Sequence, residues 1–160
     1  MPSKDIKKIK LAPKKSQLFY LVPAILFLLL AIIAIYYKNT PKQDSITVNG
    51  QKILVERLLS EASREKGLSG REYLPINNGL LFVYENTGNW KIWMKDMNFA
   101  IDIIWLSNDG TVVGIKENVS PDTYPEIHQI DTKSKYILEI NSGIAKKYDI
   151  KIGDKFNNIY

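Results

Sequence analysis

The sequence predicts an α+β domain, mainly antiparallel β, curled into a small barrel or sandwich with one or two short helices and preceded by an N-terminal transmembrane helix. Three observations carry that expectation. Apolar, β-branched runs recur between turn-forming residues from residue 46 onward. Helix-forming runs in that region are brief, near residues 61–66 and 142–147. Residues 18–37 form one uncharged apolar run, long enough at about 1.5 Å per residue to cross a hydrocarbon core of roughly 30 Å. A flat two-layer sheet is the alternative to the barrel.

The first 17 residues read as a basic cytoplasmic tail. Lys4, Lys7, Lys8, Lys10, Lys14 and Lys15 precede the apolar run, and such an excess holds the amino terminus inside and sends the following domain out. The run exceeds a signal-peptide core, and Ile35-Tyr36-Tyr37-Lys38 offers no small-x-small cleavage site, so an uncleaved anchor is expected. The expected location is the cell membrane, single-pass, with an extracytoplasmic domain. Residues 38–45, with Pro41, form a polar tether, and residues 46–160 form the domain.

Within the domain, Asn49-Gly50 supplies the two positive φ angles of a tight hairpin turn between residues 46–48 and 51–59. Ser60 caps a helix over 61–66, and Gly67 ends it. Residues 79–84 read as a strand, 86–89 as a turn and 90–96 as a returning strand, with Ile92 and Met94 on one face and Lys91, Trp93 and Lys95 on the other. Ile101 to Leu106 is apolar on both faces, and a turn over 107–110 joins it to 111–115 as a hairpin in the sheet centre. Residues 118–134 read as a long polar loop, 136–140 as a strand, 141–147 as a helical turn and 150–156 as a last extended segment.

Charge and composition exclude several functions. The net charge of +5 resides in the tail: residues 1–37 hold six lysines and one aspartate, leaving 16 residues of each sign in the remainder. Nucleic acid is therefore no expected partner. Cysteine is absent and His128 is the single histidine, expected to be solvated in its polar loop, so no metal and no cofactor are expected.

Two carboxylates stand out, because Asp102 and Glu139 sit in apolar strands and each needs a partner once buried. Arg71 and Lys95 are the cations expected to serve, in a structural ion pair or a site. Trp93 between Lys91 and Lys95 suits an anionic or sugar-like ligand, or a packed ring. Ser63-Arg64-Glu65-Lys66 matches a serine-to-lysine hydrolase spacing, but the companion motifs of that class are absent.

Five motifs occur in order: Lys66-Gly67-Leu68-Ser69-Gly70-Arg71, Gly79-Leu80-Leu81-Phe82, Trp93-Met94-Lys95-Asp96, Ile101-Asp102-Ile103-Ile104 and Leu138-Glu139-Ile140-Asn141-Ser142-Gly143. Together they resemble domain-of-unknown-function family 192 over roughly residues 55–156. The chain departs from that pattern with Ser69 for Met, Leu80 for Met, Asp96 for Asn and Ile101 for Leu. The resemblance implies a small, mostly β domain, often exported or anchored in bacteria, without an established activity, and it lends no catalytic residue.

The candidate binding residues are therefore Arg71, Trp93, Lys95, Asp96, Asp102 and Glu139. The expected function is a membrane-anchored extracytoplasmic ligand-binding or interaction module of the cell envelope, with an anionic glycan or small molecule as its ligand. The alternatives are an envelope glycan or peptide hydrolase using Asp102, Glu139 or Asp96, and a structural envelope protein.

Overall fold

The computed structural model describes residues 15–39 and 44–160, with side chains of the first segment described over 20–35. The chain divides into two compact units between Lys42 and Gln43. Residues 1–14 of the expected basic tail (1–17) and residues 40–43 of the expected tether (38–45) lie outside the described residues. In the first unit, α1 (Lys15–Asn39) is a 25-residue helix with Pro23 inside it. Within the described residues no helix is long and apolar enough to cross a membrane; the expected span over 18–37 extends past the described side chains at both ends.

The second unit is built on one six-stranded sheet: β1 (Ser45–Val48), β2 (Gln51–Leu58), β3 (Asn78–Gly88), β4 (Ile101–Leu106), β5 (Val112–Val119) and β6 (Ser134–Asn141). The strand order is β1-β2-β3-β6-β4-β5. Asn49 and Gly50, at φ 49° and 75°, form the tight turn between β1 and β2, as their residue types require. α2 (Glu61–Lys66) starts at Ser60, whose hydroxyl accepts from the Ser63 amide while the Ser63 side chain accepts from the Ser60 amide. That reciprocal cap occupies the serine of the hydrolase-like spacing.

Several expectations are corrected. The sheet is open, neither barrel nor sandwich: β1 and β5 form no ladder with each other, and the C-terminal segment meets Thr47 of β1 through Asn157 and, at the other edge, Val112 of β5 and the preceding Thr111 through Gly153, Asp154 and Lys155. Both faces are already covered by coil and short helices, so no second sheet is needed to bury them. β2 and β3 run parallel, because residues 59–77, with α2, form a crossover long enough to return the chain in the same direction. β3 continues to Gly88 where a turn was expected. Residues 90–96 and 150–156 form bridges rather than strands, yet the expected alternation at 91–95 is present: Ile92 and Met94 are buried, and Lys91, Trp93 and Lys95 are exposed.

Two hydrophobic clusters lie on opposite faces of the sheet. One joins Ile53, Leu81, Ile104, Leu138 and Ile140 to α3 (Ile144–Lys147) and to the C-terminal Phe156 and Ile159. The other joins Leu80, Phe82, Ile103, Trp105 and Ile137 to Leu68, Leu74, Ile92 and Met94 of the connecting segments. This double covering is why β4 is buried at every position. Both clusters lie within residues 46–159, so the second unit carries its own core.

Candidate functional site

The face that carries Leu80 and Phe82 also carries a cleft of about 670 Å³. β3 contributes Phe82 and Tyr84, α2 contributes Arg64, the segment after β3 contributes Trp90, Trp93 and Met97, and β6 contributes Glu139. Gly88 gives this wall its shape, since a Cβ there would lie 3.0 Å from two ring carbons of Trp90. The Trp90 ring stacks on Tyr84 at 3.9 Å between centroids and 6° between planes. Arg64 lies over the same tyrosine ring at 4.9 Å and donates to the carbonyls of Leu59 and Val83 at 2.6 and 3.0 Å. Burial, together with the neighbouring Glu139, raises the Tyr84 phenol to about 12 against the opposing pull of Arg64.

The cleft owes its remaining wall to two interlocked turns. Gly67, at φ 48°, ends α2, and the following turn is tied to the 95–96 turn by Ser69 Oγ donating to the Lys95 carbonyl and the Gly70 amide donating to the Asp96 carbonyl, both at 2.8 Å. Asp96 itself sits at φ 55°, a left-handed position that Asn and Asp tolerate better than most residues. Its backbone carbonyl makes the tie, so Asp in place of Asn there leaves the turn intact.

Glu139 is 5 % exposed and lines the cleft. Burial pushes its carboxyl up to about 8, with Arg71 pulling weakly in the other direction. At neutral pH it is therefore mostly a neutral acid. Among the described residues no hydrogen bond reaches its side chain. Arg71 does not line the cleft; it pairs with Glu56 at 2.9 Å on the surface.

Asp102 belongs elsewhere. Its pairing partner across the ladder is Ile140 and that of Glu139 is Ile103, so the two carboxylates point to opposite faces of the sheet. Neither Arg71 nor Lys95 serves Asp102. Its two oxygens accept one backbone amide each, from Asn118 and Ala145, both at 2.9 Å. The expected cationic partner is thus replaced by two N–H groups, which satisfy a buried carboxylate without a second charge. Its place is structural, tying the start of α3 to the end of β5.

The six predicted residues separate accordingly. Trp93, 47 % exposed, and Glu139 share the main cleft. Trp93 also lines a smaller adjoining cleft with Lys95 and Asp96. Arg71 stands outside both, and Asp102 lies behind the sheet. Sequence reasoning missed Arg64, Tyr84 and Trp90; the alternation of Leu80, Phe82 and Tyr84 along one strand face was the available signal for the tyrosine. His128 was expected in solvent but is buried, bridged to Ile92 through both backbone amides, with Nε2 3.0 Å from Thr123 Oγ1. Burial, helped by Lys116, lowers its pKa against the opposing Glu126. Among the described residues no three His, Cys, Asp or Glu side chains are grouped to hold a metal.

The fold and cleft define a small α+β domain with a mixed open sheet and a concave polar-aromatic site. The chain belongs to DUF192, a family described as "Uncharacterized ACR", whose model matches residues 44–157. It is similar to a solved structure from Sinorhizobium meliloti 1021, described as a candidate transcription regulator. The identity is 27 %, covering 72 % of this chain and 92 % of that one, with a TM-score of 0.68. It is also similar to a solved protein of unknown function from Novosphingobium aromaticivorans DSM 12444, at 28 % identity over 71 % of this chain and 83 % of that one, with a TM-score of 0.67. No curated protein matches the chain.

Proposed function

We propose that this protein is a membrane-anchored extracytoplasmic binding module whose cleft takes a neutral, hydroxyl-rich ring of the cell-envelope glycan type. The observation that carries the reading is Glu139: a buried, mostly neutral carboxyl on the wall of an aromatic cleft, with no hydrogen bond from the described residues. Its carboxyl oxygens open onto the cleft rather than being sealed in the core, so a ligand hydroxyl or carbonyl can take the place of water there. Trp93 offers an exposed face for ring stacking beside it.

The surrounding charge favours a neutral ligand over the anionic one expected from the lysines. Glu61, Glu65 and Glu85 on the lining balance Arg64, Lys66 and Lys91, and Arg64 is already engaged by two carbonyls and a tyrosine ring. The hydrolase alternative loses its Asp102–Glu139 pair, because Asp102 lies on the far side of the sheet and cannot act with Glu139 across one bond. The even balance of charge over residues 38–160 supports no transfer of the regulator description to this chain.

The anchor reading rests on α1. Its 25 residues reach about 37 Å at helical rise, its described side chains from Leu21 to Ile35 carry no charge, and six lysines precede the apolar run.

The test is titration of the full chain, in a detergent without a sugar headgroup, with N-acetylhexosamine oligosaccharides, uronic-acid oligosaccharides and inorganic phosphate. Tryptophan fluorescence should respond to the neutral sugars. Trp93→Ala and Glu139→Leu should weaken that response, and Glu139→Gln, which keeps a neutral donor, should preserve it. A response to the anionic ligands alone overturns the ligand class. Accumulating product, lost in Glu139→Gln, replaces binding with catalysis.

A further inference from the structure

We propose that the site is extended: two adjoining subsites share Trp93, and the ligand is an oligosaccharide of at least two units that contacts its ring. This rests on the cleft reading above. The second cleft, about 280 Å³, shares Glu65, Lys66, Ser69 and Trp93 with the first and adds Ala62, Lys95 and Asp96. At that volume it falls below the roughly 300 Å³ at which separate small-molecule sites begin, so it serves as an extension of its neighbour.

Trp93 stands between buried Ile92 and Met94, which fix the backbone on either side while leaving the ring 47 % exposed. The chain just after it is fastened by the double tie of Ser69 to Lys95 and Gly70 to Asp96, both at 2.8 Å. A half-exposed ring that lines both clefts offers apolar surface to a chain-like ligand occupying the two of them. Beyond it, Lys66 and Lys95 face Glu65 and Asp96, so this extension too carries no net charge and suits hydroxyl and amide groups of a neutral sugar.

The experiment measures Kd of the full chain for the N-acetylhexosamine monosaccharide, disaccharide and tetrasaccharide. Affinity should rise roughly tenfold or more from the monosaccharide to the longer sugars, as a second tethered unit adds its contacts. Ala62→Phe, at an exposed helix position that only the second cleft uses, should remove that gain and leave monosaccharide binding unchanged. Lys95→Ala should reduce the gain in the same direction. Equal affinity for all lengths, or a gain that survives Ala62→Phe, overturns the extended site while leaving the single cleft standing. Absence of binding at every length overturns the cleft reading itself.

Discussion

Replacing Glu139 by Gln should convert a pH-dependent liability into a constant. The carboxyl is 5 % exposed, and its pKa rises from 4.5 to about 8 on folding. Between those values the folded state holds a proton that the unfolded state has released, so stability falls as pH rises, by about 1.4 kcal/mol per unit. Below about 4.5 both states are protonated and the residue costs nothing; above about 8 the cost is complete. Integrated over that window it is on the order of 5 kcal/mol, with the Arg71 charge holding it from growing larger. Gln keeps the shape and carries no charge at any pH. The soluble unit 44–160 should be unfolded in urea at pH 4.5, 6, 7.5 and 9, followed by tryptophan fluorescence. Parent and variant should have similar midpoints at pH 4.5 and diverge progressively, the variant leading by about 2.5 M at pH 9 for an m-value near 2 kcal/mol/M. Midpoints that differ by the same amount at all four values would refute the buried neutral acid, and the cleft reading would lose its main support.

Three further outcomes are expected. Asp102→Ala should destabilise the unit by about 2 to 5 kcal/mol in the same urea assay, because the Asn118 and Ala145 amides lose their acceptors; Asp102→Asn should cost nearly as much, since an amide offers one oxygen where two N–H groups need two. Gly79→Ala should cost about 1 to 3 kcal/mol in thermal unfolding, as its Cβ would lie 2.9 Å from Leu138 Cδ1 and 3.0 Å from the Glu139 carbonyl; an unchanged midpoint would mean β3 and β6 separate freely there. Protease added to intact cells or spheroplasts should digest the chain beyond residue 38 from full-length protein, and recovery of a shortened soluble form would sink the anchor.

The local elements were legible because their causes are local. Asn49-Gly50 makes its turn wherever it stands, Ser60 and Ser63 cap their own helix, and the run of β4, apolar on both faces but for Asp102, announced a strand covered on both sides. Asp102 and Glu139 were likewise marked as acids needing partners by nothing more than their apolar neighbours. The motif order was sufficient to place the chain in its family.

What tertiary structure alone decided is which acid faces which side. Alternation along a strand separates odd from even residues, but when both faces are apolar it cannot say which parity meets which cluster; that is set by register between strands distant in sequence. The pairing of Ile103 with Glu139 placed Asp102 behind the sheet, where two amides reached it first, and left Glu139 on the wall of the cleft. The Tyr84 and Trp90 stack, the parallel return of β3 beside β2 and the burial of His128 under the bridge to Ile92 are decisions of the same kind. Each depends on segments brought together by backbone hydrogen bonds whose donors and acceptors are the same for every residue, and so leave no trace in the side-chain pattern.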